Sequence, residues 1–593
     1  PIFIVWFINV RFIHPENNNS KSIICSDGSG YYAYLPATFI YHDFKFSFLN
    51  NLKDEYNGTG FNDFAVYKDE VTHYNKYFPG VALLQLPFFL LAVLVSKLSG
   101  NAVDGYSYWF QLSVAFAALF YYLAGCFYSY RLALSFTKNK MMSTIAVIAF
   151  AFGTNLFYYA FYEPAMSHVY SFFLMALWCY SITGLQTVSN QKKLFIAACV
   201  FGIIVLTRPV NGIVVLLIPL ISSDYLGFKN MLRILFSSRL LNAVFSLALT
   251  IFLISSQLLN NKLQTGQFYF NSYGNEFFNF FNPQIHQVLF GFRKGFFIYT
   301  PMAFVALFGL LSIFKQSKWI FSWIAIALII TAYIVSSWYC WPYGGSFGMR
   351  PFIDYYPVFI IMLASLLVYI QTVMLKLILG ILCVLAIFNM FQIYQYKLGI
   401  LAYDHMDIQR YKRIFLKTDK RLSGIYQRHI TSINVSKIKF RSQFNNSFDT
   451  KVFKDNKNYS DFKPYSMPVC RYTESSDEAT PPFQFAFSNE SLIMKYRVLV
   501  KVSAMVRVDS TIYDSYVNVK LFSKEDIKIE ENYPIAGCIT DTNKWQYMSV
   551  IFDMPSSVAL QDKLKVYFTS KQGRVFYDDL SVEILYCDYL ADL

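Results

Sequence analysis

Long runs of apolar residues constrain the fold of this 593-residue chain more than any other feature of its sequence. Residues 305–335 are interrupted only by Lys315 and Lys318, and residues 358–390 contain a single charge, Lys376. A helix needs about 20 predominantly apolar residues to cross a bilayer. Charged residues make up only 15% of the chain, which is too few to cover the surface of a soluble protein of this size. The sequence therefore predicts a multi-pass integral membrane protein.

Positive charges between the apolar segments predict how the chain crosses the membrane. About ten to twelve segments qualify as membrane segments, and residues 1–13 are interpreted as the tail of a first spanning helix. Because Lys and Arg concentrate in cytoplasmic loops, four basic loops are predicted to be cytoplasmic, those at 131–140, 192–193, 229–239 and 315–318. The chain beyond residue 391 and four other loops are then extracytoplasmic, namely 16–78, 162–168, 260–295 and 336–356.

Two segments do not fit a simple count of spans. Residues 79–95 are short and begin and end on the same predicted side, so they are interpreted as re-entrant. Residues 194–221 are divided by Arg208-Pro209 and return to their starting side. Irregular backbone at membrane depth occurs only where it is buried in protein or lines a wet cavity. Each segment therefore either helps to build a site or marks a loop assigned to the wrong side.

Composition divides the chain into three predicted parts. Residues 1–394 form the membrane module, 395–480 a basic connector near the membrane surface, and 481–593 a β-rich domain. In the last part, alternating β-branched segments such as 498–508 recur at the spacing of a sandwich. We predict a mostly α fold, a polytopic transmembrane helical bundle, with a C-terminal all-β sandwich. Its segment YDDLSVEIL (577–585) resembles the last strand of carbohydrate-binding jelly-roll domains.

The charge balance and the motifs that are missing narrow the function classes. The net charge of +14 indicates basic residues that contact lipid headgroups and set the topology of the chain in the membrane. A nucleic-acid partner is not predicted, because the basic residues border apolar helices. The sequence has no GxxxxGK[ST] or HExxH motif, so ATP-driven transport and metal-dependent proteolysis lack their usual signatures. No CxxC or His/Cys spacing predicts a zinc site.

The first predicted outer loop carries two polar residues of interest. Asp27 lies in CSDGSGYYAYLPA (25–37), just beyond the first apolar segment, and is either a cap or turn residue or a reactive acid. Lys76 lies in HYNKYFPG (73–80), before an aromatic-proline turn at the membrane edge. It either extends to the interface as an ordinary basic residue or takes part in a site.

Three segments, in this order, resemble the GT-C superfamily of membrane glycosyltransferases. The closer relatives would be the protein mannosyltransferases and the aminoarabinose transferases of lipid A, of glycosyltransferase family 39. The segments are NKYFPGVALLQLPFFLL (75–91), LTRPVNGIVVLLIP (206–219) and GGSFGMRPFIDYYPVFI (344–360). Phe78 stands where the family's turn has its first Pro. With Asp27, the resemblance spans residues 27–360 and implies a helical bundle of GT-C type.

The resemblance also implies the substrates and their location. Such enzymes move a sugar from a polyprenyl-phosphate donor, embedded in the lipid bilayer, to an extracytoplasmic acceptor that is a protein, lipid or glycan. The implied location is the bacterial inner (plasma) membrane, with the large loops and the β domain extracytoplasmic. No cofactor is required by this reading. A divalent metal stays open, because Asp27 and Glu163 either share a cation or act without one.

By the same resemblance, Asp27 is the predicted general base, and Glu163 is a second acid. The reserve acids of the first loop are Asp43, Asp54, Glu55, Asp63, Asp69 and Glu70. The donor phosphate needs fixed positive charge, for which Arg350 and Lys76 are the first candidates. The second candidates, Arg293 and Lys294, are otherwise an ordinary basic pair at the membrane edge.

Aromatic residues near these loops define a predicted substrate groove. Its members are Tyr77, His168, Trp338, Trp341 and Tyr343. The aromatic side chains either contact sugar rings or a polyprenyl chain, or form an interfacial belt. His168 either faces the cavity or is an interfacial polar residue.

The main alternative function is a transporter or flippase of lipid-linked sugars. The two halves show no obvious repeat and the apolar runs contain almost no acids, which disfavours a proton-coupled transporter. A membrane polymerase or ligase of surface polysaccharide would share the donor chemistry and differ in its acceptor. A non-catalytic member would bind through its β domain.

Overall fold

The computed structural model describes most of residues 23–418 and, after residue 437, chiefly the β-strands. Outside the described residues lie 1–22, 50–51, 53–65, 69–72, 184, 186–190, 238–239, 275, 405, 407, 419–437, 447–458, 461–469, 474–482, 487–496, 509–514, 524–525, 536–537, 540–542, 555–561, 571–574 and 588–593. The predicted first membrane helix at 1–13 belongs to the first of these stretches. The chain divides into two compact units, Pro1–Tyr394 and Gln395–Leu593.

The first unit is built of apolar helices, some of which begin at a polar cap. Asn139 accepts a hydrogen bond from the backbone N–H of Met142, and Ser317 accepts one from Ile320, so each satisfies a free donor at a helix start. In chain order the described helices are α1 (Asp27–Phe39), α2 (Gly80–Leu98), α3 (Tyr108–Thr137), α4 (Lys140–Phe152), α5 (Asn155–Phe161), α6 (Ser167–Thr183), α7 (Gln191–Thr207), α8 (Tyr225–Ser237), α9 (Leu240–Thr265), α10 (Ile285–Phe290), α11 (Phe296–Tyr299), α12 (Pro301–Leu307), α13 (Gly309–Gln316), α14 (Lys318–Ser337), α15 (Tyr356–Tyr369) and α16 (Thr372–Lys397). Two 3-10 helices, Pro209–Ile221 and Arg350–Tyr355, and the hairpin of β1 (Val66–Lys68) and β2 (His73–Asn75) complete its described elements.

Six helical segments in the described ranges are long and apolar enough to cross a bilayer, and the number rises to eight if each of two bent pairs is one span. The six are Gly80–Leu98, Tyr108–Thr137, Leu240–Thr265, Lys318–Ser337, Arg350–Tyr369 and Thr372–Lys397. The bent pairs are Lys140–Phe152 with Asn155–Phe161, at 63°, and Pro209–Ile221 with Tyr225–Ile234, at 102°. These segments identify the chain as an integral membrane protein. They are fewer than the ten to twelve that the sequence predicts.

Residues 79–95, interpreted as a short re-entrant segment, belong to a longer helix, and the return of this segment to its starting side stays a prediction. The structure has one continuous helix there, α2, of 19 residues, which at 1.5 Å per residue spans about 28 Å. Ser96 and Lys97, at which the apolar run ends, do not end the helix. Ser96 is fully buried, and Lys97 lies in the last turn, where a positive charge interacts favourably with the helix dipole.

The predicted break at Arg208-Pro209 is confirmed. Helix α7 ends at Thr207, Arg208 is extended with φ −152° and ψ 105°, and a 3-10 helix begins at Pro209. The proline ring excludes the preceding residue from the α region, so the direction of the chain changes at this point. The side chain of Arg208 thereby leaves the line of the helix and becomes available to a site.

The second unit contains two antiparallel sheets, whose strands are β3 (Ile438–Asn446), β4 (Tyr459–Ser460), β5 (Cys470–Thr473), β6 (Phe483–Ala486), β7 (Arg497–Val508), β8 (Ser515–Ser523), β9 (Asp526–Pro534), β10 (Gln546–Asp553), β11 (Lys563–Ser570) and β12 (Val575–Cys587). The larger has the strand order β10-β7-β12-β5-β4, with β3 also paired to β12, and the smaller has the order β6-β11-β8-β9. One apolar core takes side chains from both sheets, including Val502, Val519 and Val566, as expected of a sandwich. The predicted mostly α fold with a C-terminal β region is confirmed, while its jelly-roll character stays a prediction.

The strands of the second unit begin earlier than the predicted β domain. Three of them, β3 to β5, come from residues 395–480, which the sequence assigned to a connector, and β3 pairs along β12 with Phe440 opposite Tyr586. The same predicted connector also contains the short helix α17 (Ile408–Ile414).

Candidate active site

A cavity of about 580 Å³ lies in the first unit, where the predicted outer loops converge. Its wall includes Asp27, Tyr31, Lys76 and Tyr77 from loop 16–78, His168 from 162–168, Asn271, Tyr273, Glu276 and Phe278 from 260–295, and Trp338, Tyr339, Cys340, Tyr343, Gly344, Arg350, Pro351 and Tyr355 from 336–356. Thr207, Arg208, Asn211 and their neighbours at the helix break also line it. Four loops predicted to share one side of the membrane therefore meet at one cavity.

Asp27 and Arg350 form an ion pair on the cavity wall. Arg350 Nη2 lies 2.9 Å from Asp27 Oδ2, and the two side chains are 13% and 17% exposed. Asp27 is the first residue of α1, and Arg350 is the first residue of the 3-10 helix that leads into α15. The pair joins the first and last segments of the family resemblance. It leaves both groups accessible from the cavity.

The surroundings of Asp27 keep its carboxyl group ionised. Burial by itself raises the pKa of Asp27, but the positive charge of Arg350 and a hydrogen bond with Tyr77 outweigh that effect. The charge of Lys76 acts in the same direction, and the resulting pKa is below the usual value of an Asp side chain. A carboxylate in this state can accept hydrogen bonds and, during a reaction, a proton.

A close contact at Gly28 places Asp27 against the second outer loop. A Cβ atom at Gly28 would lie 2.4 Å from the Cβ of Ala165, so only glycine allows the first turn of α1 to approach so closely. Glu163 is in the same loop and accepts a hydrogen bond from the Tyr158 hydroxyl at 2.8 Å. Removal from water raises the pKa of Glu163, and the negative charge of Asp27 adds to this effect. Glu163 is not among the residues that line the cavity.

Lys76 lies on the same wall and is paired with an acid from the third outer loop, Glu276. Its Nζ is also 5.2 Å from the ring centre of Tyr273 and 5.8 Å from that of Tyr77. The turn that carries Lys76 is held by Gly80, because a Cβ there would lie 2.3 Å from the backbone nitrogen of Thr207. This contact brings the Lys76 turn beside the helix break.

A second polar cluster lies behind the helix break, around the fully buried Asp354. Asp354 Oδ2 accepts a hydrogen bond from Asn211 at 2.7 Å and lies 3.2 Å from Arg208 Nη1. Asp354 Oδ1 lies 3.1 Å from His168 Nδ1, which is also 2.8 Å from Arg208 Nη1. Nδ1 serves Arg208 only as an acceptor and Asp354 only as a donor, so the two contacts require different tautomers. The cluster fixes the guanidinium of Arg208 at the cavity.

Seven of the predicted site residues line this cavity: Asp27, Lys76, Tyr77, His168, Trp338, Tyr343 and Arg350. The other four lie elsewhere. Lys294 is buried and donates hydrogen bonds to the backbone carbonyl and the hydroxyl of Ser346. Arg293 stacks on Trp341, with 5.5 Å between the guanidinium carbon and the ring centre. Trp341 is thus the third of the four, and Glu163 is the fourth.

Of the reserve acids, Asp43 alone is among the described residues, and it does not line the cavity. Asp43 accepts hydrogen bonds from the backbone N–H groups of Lys45 and Ser47, at 2.9 and 2.7 Å, and so closes its own turn. The others, Asp54, Glu55, Asp63, Asp69 and Glu70, lie outside the described residues. Within the described part of the chain, no group of three or more His, Cys, Asp or Glu is arranged to hold a metal ion.

Four residues of the site were not predicted: Arg208, Asn211, Glu276 and Asp354. Arg208, Asn211 and Asp354 are part of segments that carry the family resemblance, so the segments were recognised without these side chains. Glu276 is the only acid in residues 260–295. A lone acid in a loop rich in aromatic residues is the signal that could have identified it.

Comparison with known proteins found one solved structure to report. No protein-family model and no curated protein matches the chain. The chain is similar to the arabinosyltransferase EmbB from Mycobacterium smegmatis, with 9% sequence identity and a TM-score of 0.32. The match covers 86% of this chain and 60% of that one, so this chain spans less than two thirds of its neighbour's length.

Proposed function

We propose that this chain is a membrane glycosyltransferase that moves a sugar from a polyprenyl-phosphate donor to an extracytoplasmic acceptor. The observation that carries the proposal is the Asp27–Arg350 pair, 2.9 Å apart on the wall of the cavity. Transfer of this kind needs a base for the acceptor and positive charge for the leaving phosphate. The pair supplies both groups at one place.

The reaction would follow from the positions of the two charges. Asp27 takes the proton of an acceptor hydroxyl, whose oxygen attacks the anomeric carbon of the sugar. The bond between that carbon and the phosphate oxygen breaks, and polyprenyl phosphate leaves with one additional negative charge. Arg350 presents several N–H donors in a fixed fork, so it can hold Asp27 and the phosphate together. The proton on Asp27 then passes to solvent or to the released phosphate.

Two further cations are near the path of the leaving group. Lys76 and Arg208 both line the cavity, and each is neutralised in this structure by an acid, Glu276 or Asp354. Positive groups already fixed where negative charge develops need no rearrangement during the reaction. A phosphate that enters would therefore meet Arg350 and Lys76 as first ligands, with Arg208 beside them.

The rest of the wall suits a sugar and an apolar chain. The cavity volume of about 580 Å³ is within the usual range for small-ligand sites. Tyr273, Phe278, Trp338 and Tyr343 line it, and aromatic rings can pack on the C–H faces of a sugar ring. Arg350 begins a candidate membrane span, so the phosphate site would lie where a lipid headgroup meets the hydrocarbon.

The decisive experiment compares Asp27→Asn with Asp43→Asn, an acid of the same loop that lies outside the cavity. Both purified variants are assayed with a panel of polyprenyl-phosphate sugars, after thermal unfolding has shown that each is folded. Asp27→Asn should lose a factor of about 10² to 10⁴ in rate, because a general base contributes that much. Asp43→Asn should stay within about twofold.

Two outcomes would count against the proposal. Equal rates for the folded Asp27→Asn variant and the parent protein would remove Asp27 from the reaction. Passage of a labelled lipid-linked sugar across proteoliposomes, with no transfer to any acceptor, would favour the flippase instead. Arg350→Gln, tested in the same assay, should lose about a hundredfold or more, as expected for a group that stabilises developing charge.

A further inference from the structure

A second cavity, of about 410 Å³, lies at the other end of helix α6. His168, which lines the first cavity, is in the first turn of α6, and Tyr180, which lines the second, is in the last. Along a helix axis these two residues are roughly 18 Å apart. The second cavity is therefore separate from the candidate active site, and what it binds does not depend on the proposed function.

Three cations converge on this cavity. Arg131 donates a hydrogen bond to the Tyr180 hydroxyl at 2.8 Å, with its guanidinium carbon 5.3 Å from the ring centre. Lys193 Nζ lies 5.0 Å from the same ring centre. Lys138 also lines the cavity and donates to the backbone carbonyl of Ser135 at 2.6 Å. Two of the three positive groups thus lie against one tyrosine, and the third lines the same cavity.

Among the described residues, no acid lines this cavity. None of the seven described residues that line the cavity is acidic. The sequence contains no Asp or Glu in 105–162 or 164–223, the stretches that supply all of its walls. Like charges held together repel one another, so the arrangement favours occupation by an anion.

The position of the cavity identifies the kind of anion. Arg131 and Lys138 lie at the end of α3, a 30-residue candidate span. About 20 residues cross the hydrocarbon, so the end of this helix reaches the headgroup layer. The loops that carry these residues and Lys193 are predicted to be cytoplasmic, where the membrane surface contains anionic lipids.

We propose that this cavity binds the phosphate of an anionic phospholipid headgroup in the cytoplasmic leaflet. The guanidinium group of Arg131 can contact two phosphate oxygens, and Lys138 and Lys193 each add one positive charge. Tyr180 holds Arg131 in place through its hydroxyl group and its ring.

The test uses two triple variants that remove the same charge. The first replaces Arg131, Lys138 and Lys193 by Gln. The second replaces Lys140, Lys192 and Lys229, which are exposed on the same predicted side but do not line the cavity. Binding of phosphatidylglycerol and of phosphatidylcholine to the full-length chain is measured by titration in detergent and by lipid retention in native mass spectrometry. Inorganic phosphate is titrated as a competitor.

The parent protein should retain phosphatidylglycerol in preference to phosphatidylcholine. The first triple variant should bind it at least tenfold more weakly, since each basic residue near the surface accounts for roughly fivefold. The second should change by about twofold or less. Should the first variant fail to fold, Lys193→Gln alone should give the fivefold loss, and Arg131→Lys should be milder than Arg131→Gln.

Three results would overturn the proposal. Equal losses in the two triple variants would mean diffuse attraction to the surface and no defined pocket. Millimolar phosphate that displaces the lipid, and itself binds in a way that depends on these three cations, would identify a soluble phosphate ligand. Unchanged lipid retention in the first variant would show that the cavity holds no headgroup.

Discussion

Two acids near Arg350 have opposite electrostatic environments. The pKa of Asp27 is lowered, because the guanidinium and Lys76 outweigh its burial. The pKa of Glu163 is raised, because it is removed from water and close to Asp27. When neighbouring carboxyl groups diverge in this way, one is kept ionised and the other tends to keep its proton. Asp27 is ionised and lines the cavity, so it is the acid available to accept a proton there, whereas Glu163 does not line the cavity.

This difference predicts how Glu163→Gln changes stability. Because the pKa of Glu163 is raised in the folded state, this side chain contributes its full stabilisation below about pH 4.3, the ordinary Glu pKa. The wild-type protein loses that contribution as the pH rises through the folded-state pKa. Gln has the same shape, can still accept from Tyr158 and does not ionise. The variant should match the wild type near pH 4 and be more stable at pH 7.

Thermal unfolding in detergent from pH 4 to pH 8, with both proteins side by side, measures this difference. A wild-type protein that is the more stable of the two at pH 7 would contradict the raised pKa. Tyr158→Phe is the control, because it removes the hydrogen bond and leaves the titrating group in place.

Single residues differ in how far the sequence can predict them. Asp27 and Arg350 were identified because each belongs to a recognisable segment, and the structure pairs them. Glu276 was not, since its partner Lys76 is 200 residues away in the chain and no local pattern records such a contact. Asp354 is fully buried, and burial of an acid depends on tertiary partners such as Asn211.

At the scale of elements, the packing of α2 on the end of α7 positions two sides of the site. Gly80 begins α2, four residues after Lys76, and contacts the backbone at Thr207, one residue before Arg208. Both partners in this contact are backbone, so neither can move without shifting its helix. The turn at residues 76–80 and the helix break thus share one anchor.

Gly80→Ala should therefore destabilise the protein and disturb the site. An added Cβ would lie 2.3 Å from the nitrogen of Thr207, and overpacking of this kind costs about 1–3 kcal/mol. Gly380→Ala is the matched control, because Gly380 lies within α16 with no atom within 4 Å of the added Cβ. There alanine should be neutral or stabilise the helix by up to about 1 kcal/mol.

The two variants are compared by thermal unfolding and by the affinity for a polyprenyl-phosphate sugar. Only Gly80→Ala should lose stability, and it should also bind the donor more weakly. Equal behaviour of the two would mean that the contact at Thr207 relaxes easily and does not position the site.

Elements were predictable where one residue type dictates the backbone. The break before Pro209 follows from the proline ring, and the structure has it. The end of α2 was misplaced because Ser96 looks like a polar terminus in sequence, whereas in the fold it is fully buried. Likewise, the early strands β3 and β5 belong to the second unit because they pair with β12, a long-range partner that composition does not reveal.

At the scale of the whole molecule, the two cavities of the first unit lie at opposite ends of helix α6. The first cavity is built from loops predicted to be extracytoplasmic, and the second from loops predicted to be cytoplasmic. The charge rule alone separated these two sets of loops. All four predicted outer loops contribute to the first cavity, and two of the four predicted cytoplasmic loops contribute to the second. Their orientation across the membrane is what both proposals share, so it can be tested independently of any ligand.

Cysteine labelling can test this orientation directly. Tyr269, in loop 260–295, is 84% exposed, and Lys140, in loop 131–140, is also exposed, so either position should tolerate Cys. A membrane-impermeant maleimide should label Tyr269→Cys in intact cells and Lys140→Cys only after permeabilisation, each above the background of the parent protein. The physical reason is that basic loops are retained on the cytoplasmic side. Labelling of both positions in intact cells would place the two cavities on one face, and the lipid pocket and the outer transferase site could not both be correct.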